Sequence, residues 1–350
     1  MFDLQKLVRK NILEMEPYSS ARDEFQGVAS VYLDANENPY NNGINRYPDP
    51  LQQELKVKIS RIKNVHPWQI FLGNGSDEPI DLVIRAFCEP GTDNIVSIKP
   101  TYGMYKVCAN VNNVEFREVL LTPDFKLDSE AVLKQVDHKT KIIFLCSPNN
   151  PTGNSFVREK IIYILNRFDG IVVLDEAYID FSEQESFLAQ LDNYPNLVVL
   201  QTFSKAWGMA GARVGIAFAS SKIIDILNKI KYPYNINVLS QQQVSRQIDL
   251  LEDKNTKLKS IIEQRKLMVL ELNKSPHVLE VFPSDSNFLL LRVNDARKMY
   301  DYLLAKEIIV RDRSSVALCH GCLRVTIGTP AENKSLLGAV NEYQEQIIKP

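Results

Sequence analysis

What most constrains the fold of this 350-residue chain is the alternation between residues 70 and 218 of short apolar runs with stretches of helical periodicity, each run stopping on a polar turn. The runs are Ile70-Phe71-Leu72, Asn94 to Ile98, Val114 to Leu121, Ile142 to Cys146, Ile171 to Leu174, Leu197 to Leu200 and Val214 to Phe218. Runs of this kind belong in a sheet covered on both faces, and helical crossovers between them make that sheet mostly parallel. Ligands in such folds bind beyond the carboxyl ends of the strands, so chemistry is expected on the turns.

Each turn has a functional and an ordinary reading. Gly73-Asn74-Gly75-Ser76-Asp77-Glu78-Pro79 leads into the helical stretch Ile80 to Phe87. Glycines admit close backbone approach, Ser76 or Asp77 can cap the helix, and its first amides then suit a phosphate. The same composition also describes a plain helix cap, and no Lys-Ser/Thr pair follows the glycines as a nucleotide P-loop requires. Tyr102, in Pro100-Thr101-Tyr102-Gly103, can stack on a flat ring or simply pack. Asn150, in Ser147-Pro148-Asn149-Asn150-Pro151-Thr152-Gly153, and Tyr178 can each bond a phenolate oxygen. Asp175 follows four apolar residues and is expected to be partly buried, where it needs a cationic partner such as a pyridinium nitrogen. Otherwise it caps the next helix. Lys205, on the turn Thr202 to Arg213 between two buried runs, is a candidate nucleophile able to form a Schiff base with a carbonyl cofactor. Alone it would read as a surface lysine. Pyridoxal phosphate chemistry needs that lysine, a carboxylate at the pyridinium and a phosphate cradle, and the chain offers each on a separate turn.

Other classes find little support. With 45% hydrophobic and 24% charged residues and a net charge of -2, the composition is that of a globular enzyme, without the basic footprint of a nucleic-acid binder. No apolar run is long enough for a membrane span, and Met1 to Lys6 lacks the core of a secretory signal, so a cytoplasmic location is expected. Five cysteines, Cys88, Cys108, Cys146, Cys319 and Cys322, make no disulfide framework. Cys319-His320-Gly321-Cys322 has no second ligand pair, and no metal is expected. There is no Gly-x-Ser-x-Gly elbow for serine chemistry.

In chain order, Gly73-Asn74-Gly75-Ser76-Asp77-Glu78, Asn150-Pro151-Thr152-Gly153, Asp175-Glu176-Ala177-Tyr178, Ser204-Lys205 and Arg213 resemble the motif set of fold type I pyridoxal phosphate-dependent aminotransferases. Pro17-Tyr18-Ser19-Ser20-Ala21-Arg22, Asn36-Glu37-Asn38-Pro39, Arg46-Tyr47-Pro48, Ser286-Asn287-Phe288, Val310-Arg311-Asp312 and Gly321-Cys322-Leu323-Arg324 are similar to the histidinol-phosphate aminotransferases in particular. Trp207, Met209 and Ala212 depart from the family's Phe, Leu and Leu, which alters packing beside the lysine. The resemblance implies an α/β fold with a large domain built on a mostly parallel seven-stranded sheet, and a smaller α+β domain. It implies Lys205 as Schiff-base and proton-transfer residue, Asp175 on the pyridinium, and Asn150 and Tyr178 on the ring oxygen. Tyr102 would lie on the ring face. Gly75, Ser76, Asp77, Ser204 and Arg213 would hold the phosphate, with Tyr47 reaching it from a partner subunit of a homodimer. Tyr18, Asn36, Asn287, Arg311 and Arg324 would bind substrate. The implied reaction is ping-pong transfer from L-histidinol phosphate to 2-oxoglutarate, giving 3-(imidazol-4-yl)-2-oxopropyl phosphate and L-glutamate.

Outside the alternating region, residues 1 to about 30 read as one amphipathic helix ending at Pro17 and then an irregular arm, and Val31 to Pro39 as a brief strand running into a polar turn. A long helix from Leu251 to Leu272, strands Phe288 to Val293 and Leu323 to Ile327, and a last helix from about Ala331 to Ile348 suggest the smaller domain. The division expected is an arm over 1–40, a large cofactor domain over 41–245 and a small domain over 246–350. A decarboxylase of an amino acid phosphate, a broader amino acid aminotransferase and a pyridoxal-sensing transcription factor are the competing readings. The last would need a DNA-binding domain, for which the arm is too short. Formation of glutamate from 2-oxoglutarate separates the decarboxylase from a transaminase.

Overall fold

The structure is a computed structural model and describes residues 2–18 and 29–343. The apolar runs become β1 (Ile70–Asn74), β2 (Asn94–Lys99), β3 (Glu115–Leu120), β4 (Thr140–Cys146), β5 (Ile171–Asp175), β6 (Leu197–Thr202) and β7 (Val214–Phe218), one seven-stranded sheet in the order β1-β7-β6-β5-β4-β2-β3. Neighbours from β6 to β3 pair in parallel, whereas β7 is antiparallel to both β6 and β1. The reason is connection length. Residues 203–213 hold only a short 3-10 turn, Ala210–Ala212, too little for the helical crossover that parallel strands require. β7 therefore begins at the edge of the sheet where its parallel neighbours end.

Successive strand residues face opposite sides. In β4 and β5, Ile143, Leu145, Val172 and Leu174 enter one core; Ile142, Phe144, Cys146, Ile171 and Val173 enter the other. The first face is covered by α3 (Gln53–Lys63), α6 (Ser129–Lys134), α7 (Arg158–Leu165) and α9 (Val238–Asp249), through residues such as Ile59, Val132, Ile164 and Val244. The second is covered by α4 (Asp77–Phe87), α5 (Met104–Val111) and α8 (Ser221–Ile230), through Val83, Tyr105 and Leu227.

A four-stranded antiparallel sheet, in the order β10-β11-β9-β8, follows: β8 (Val278–Val281), β9 (Phe288–Val293), β10 (Arg311–Asp312) and β11 (Cys322–Thr326). One face, with Leu289, Leu291, Leu323 and Val325, packs on α10 (Leu251–Leu272), α11 (Ala296–Ala305) and α12 (Pro330–Glu342). Of the opposite parity, Leu290 and Cys322 join a core of the first sheet, and Phe288 packs with Tyr178, Phe181 and Ala206. Cys319 and Cys322 are buried there, and burial pushes the Cys319 thiol up to about 12, leaving little thiolate for redox or metal chemistry.

Several expectations change. The first helix is two, α1 (Leu4–Leu7) and α2 (Lys10–Glu14), because Arg9 between them donates its backbone N–H to Ala86 O at 3.0 Å and its guanidinium to Glu89 at 3.1 Å. Val31 to Asp34 forms no strand, and among the described residues no strand pairs with it. The helix after β1 begins at Asp77 rather than Ile80, with Pro79 accommodated in its first turn. The last helix ends at Glu342; residues 344–350, like Ser19 to Arg22 of the arm motif, lie outside the described residues. Arg311 opens a short strand, and the strand expected over Leu323 to Ile327 runs from Cys322 to Thr326 with Arg324 at its middle. Among the described residues no helix is long and apolar enough to cross a membrane.

Candidate active site

The turns at the carboxyl edge of the large sheet converge on one cleft of about 730 Å³. Of the residues expected from sequence, Gly75, Ser76, Asp77, Tyr102, Asn150, Asp175, Tyr178, Ser204, Lys205, Arg213, Arg311 and Arg324 all line it. Tyr18, Asn36, Tyr47 and Asn287 do not. Tyr47 instead stacks on Tyr234 with ring centroids 4.4 Å apart, beside a separate apolar cleft. Tyr18 and Asn36 are exposed, and Asn287 uses its backbone carbonyl to accept the Ile327 N–H.

Asp175 ends the central strand β5, and its parity matches that of Ile171 and Val173, so its carboxylate faces the core that holds Tyr105. The fully buried Tyr105 hydroxyl donates to Asp175 Oδ2 at 2.6 Å, and the Ala177 N–H donates to Oδ1 at 3.0 Å. Burial still dominates and raises the Asp175 carboxyl above the usual range; the Tyr105 and Ala177 bonds and the nearby Lys205 only oppose it. Such a carboxylate is fitted to a cation, and among the described residues none forms an ion pair with it. Tyr105 was not legible in the sequence as a site residue. It reads as one of several apolar-face positions of α5, and only the strand parity of Asp175 shows what its hydroxyl meets.

The Lys205 amine stands 5.6 Å over the Tyr178 ring. Desolvation, then the positive charges of Arg324 and Arg213, lower its pKa, while Asp175 and Asp77 act the other way. More of the amine is then neutral and nucleophilic. Tyr178, buried, accepts a 3.3 Å bond from Asn150 Nδ2, and burial raises its hydroxyl pKa so that it remains protonated. Asn150 Oδ1 accepts from Arg324 Nη1 at 2.6 Å. The loop carrying Asn150 is fixed by Asn149, which donates to Pro100 O at 2.9 Å and Thr152 Oγ1 at 2.8 Å and accepts from Thr101 Oγ1 at 2.9 Å.

An anion cradle forms where β7 crosses the turn after β1. A Cβ on Gly215 would meet the Gly75 carbonyl carbon and the Ser76 nitrogen at 2.2 Å, and one on Gly75 would meet Arg213 Nη2 at 2.5 Å. Two glycines thus let the strand, the helix N-terminus and the Arg213 guanidinium share one point. Ser76, the N-cap, makes no side-chain capping bond, so the first-turn amides of α4 keep their affinity for an anion. Arg213 Nη2 is 3.4 Å from Asp77 Oδ2, and Tyr102 Oη donates to Asp77 Oδ1 at 3.0 Å. A nucleophilic amine, a buried carboxylate seeking a cation, and an anion cradle fit pyridoxal phosphate.

Fold and cleft together define the class, a fold type I pyridoxal phosphate enzyme. The chain belongs to the family described as aminotransferase class I and II, whose pattern it matches over residues 22–340, and within it to the histidinol-phosphate aminotransferases. It is 59% identical over 345 residues to the histidinol-phosphate aminotransferase of Bacteroides thetaiotaomicron, covering 98% of this chain and 100% of that one. The crystal structure of the histidinol-phosphate aminotransferase from Clostridium acetobutylicum superposes with a TM-score of 0.79 at 27% identity, over 85% of this chain and 90% of that chain. The fold is shared, with a TM-score of 0.78 at 22% identity over 85% and 82%, by the Sinorhizobium meliloti histidinol-phosphate aminotransferase in complex with pyridoxal 5′-phosphate. This protein is a pyridoxal phosphate-dependent transaminase.

Proposed function

We propose that the chain transfers the amino group of L-histidinol phosphate to 2-oxoglutarate, yielding 3-(imidazol-4-yl)-2-oxopropyl phosphate and L-glutamate in the cytoplasm. The observation that supports this most is a single cleft holding the Lys205 amine, the buried Asp175 and a rim of arginines. Bound pyridoxal phosphate supplies an electron sink for the pair released when the substrate's C–H bond breaks. Lys205 holds the cofactor covalently through Nζ and then moves the proton at the amino-bearing carbon. Asp175 keeps the pyridine nitrogen protonated, with Tyr105 fixing the carboxylate. Asn150 and Tyr178 orient the ring oxygen, and Tyr102 covers the ring. Gly75, Ser76, Asp77, Ser204 and Arg213 grip the phosphate, while Arg311, Arg324, Asn36, Asn287 and Tyr18 receive the substrate.

The division assigned is an arm over residues 1–40, a cofactor domain over 41–245 and a small domain over 246–350. The active unit is a homodimer in which Tyr47 completes the partner's cradle, a role consistent with its place outside its own cleft. Sedimentation is expected to show a dimer, and dilution that dissociates it is expected to release cofactor. An active, cofactor-saturated monomer would contradict this arrangement.

The reaction itself is tested by mixing cofactor-loaded protein with histidinol phosphate and 2-oxoglutarate and measuring glutamate. Glutamate should accumulate in step with loss of histidinol phosphate. A preference for aspartate or aromatic amino acids over histidinol phosphate would overturn the substrate.

A further inference from the structure

Strand parity brings three guanidinium groups together. Arg311 of β10 lies directly opposite Arg324 of β11 in the antiparallel register, and Arg313, two residues beyond Arg311, also lines the cleft. Like charges opposite one another across two strands cost stability, and among the described residues no carboxylate forms an ion pair with any of the three. Asp312 is no exception, because its Oδ1 accepts the Ser314 N–H at 2.8 Å.

Arg313 stands out within this group. Its Nε is buried without any hydrogen-bond partner, whereas Arg324 already donates to Asn150. The contact that fastens this segment is the Arg313 backbone N–H to Cys322 O, at 2.9 Å, and it requires no guanidinium. Burial, followed by the charges of Arg324 and Arg311, lowers the Arg313 pKa, and the Tyr178 hydroxyl is among the groups it feels across the cleft. A buried charged donor with nothing to bond is costly, so the arrangement is fitted to an anion that enters from the cleft.

The number of guanidinium groups indicates which anion. A substrate carboxylate carries one charge and two coplanar oxygens, which a single arginine fork satisfies. A phosphate monoester carries nearly two charges near neutral pH and three free oxygens, and uses a second and third donor group. We propose that Arg313 is the specificity-determining residue of the donor site: it bonds the phosphate of a phosphorylated amino donor and contributes little to a donor that presents only carboxylates. This rests on the cleft being the amino-donor site proposed above.

The test uses cofactor-loaded wild type, Arg313→Gln and Arg313→Lys. Single-turnover rates are followed by the cofactor's absorbance at increasing histidinol phosphate or glutamate. In Arg313→Gln the half-saturating histidinol phosphate is expected to rise about 30-fold, ~2 kcal/mol, while that for glutamate rises at most about threefold. Arg313→Lys, which retains the charge without the fork, should fall between wild type and Arg313→Gln for the phosphate donor. In a second arm, inorganic phosphate competes against glutamate, the cradle being filled by the cofactor's own phosphate. Its inhibition constant should rise by a similar factor in Arg313→Gln. Equal losses for both donors, or unchanged phosphate inhibition, would overturn the assignment. Were wild type inactive on histidinol phosphate, the substrate reading would fall, and the inorganic phosphate arm would still decide the role of Arg313.

Discussion

Lys205→Ala is expected to lower kcat by at least ~10⁵-fold, a barrier increase of about 7 kcal/mol, with the thermal midpoint of the apoprotein nearly unchanged. The side chain lies in an open cleft, and the turn is held by backbone bonds that an alanine retains, Gly208 N–H to Lys205 O at 2.9 Å and Met209 N–H to Phe203 O at 3.0 Å. Removing the amine therefore removes the nucleophile and the proton carrier together and little of the fold. Steady-state turnover and a thermal melt check both halves, and borohydride should fix the cofactor covalently to wild type alone. Multiple turnovers by the alanine variant would refute the role of Lys205.

The second large effect is expected at Asp175. Asp175→Asn should retain cofactor, because the cradle at Gly75, Ser76 and Arg213 is untouched, yet lose about 10³-fold or more in kcat, ~4 kcal/mol or above. With its oxygen in the Oδ1 place the amide still accepts from the Ala177 N–H, and its NH2 can donate to the Tyr105 hydroxyl, so both contacts that hold the carboxylate are kept in altered form. What disappears is the negative charge that, in the proposed function, keeps the pyridine nitrogen protonated. Cofactor affinity measured by fluorescence titration alongside kcat separates the two effects. Near-normal rates would leave Asp175 with only its short-range bond to Ala177, the local capping role open to it from sequence.

How much of this was legible follows from where each signal is local. Apolar runs and the turns behind them are contiguous, so β1 through β7 and the residues Gly75, Asn150, Asp175, Lys205 and Arg213 could be read from the chain, and all five meet in the cleft. Long-range contacts were not visible. The Arg9 bond to Ala86, which splits the first helix, joins residues far apart in sequence, and the absence of a ladder for Val31 to Asp34 depends on what lies beside it. Tyr105 and Arg313 escaped for a related reason. One sits on a helix face that looks purely structural, the other follows a two-residue strand too short to show periodicity. Arg313 would have been found by extending the parity of Arg311 by two residues.

The antiparallel course of β7 carries a consequence for how this site tolerates change. Lys205 sits near the start of the 203–213 link and Arg213 at its end, and the link is clamped across its mouth by the Phe203 N–H to Val214 O bond at 3.1 Å. Side chains inside it have room sideways: Trp207 and Met209 are taken into the core beside Phe203, and Lys254 Nζ lies 5.3 Å over the Trp207 ring. A change of length has no such outlet. One residue more or less would move the amine relative to Asp175 or pull the guanidinium away from Gly75, because both ends of the link are pinned to paired strands. Apart from Ser204, Lys205 and Arg213, residue identity in this segment is therefore freer to drift than its residue count, and insertions and deletions between Phe203 and Arg213 form a class of change the enzyme cannot accommodate.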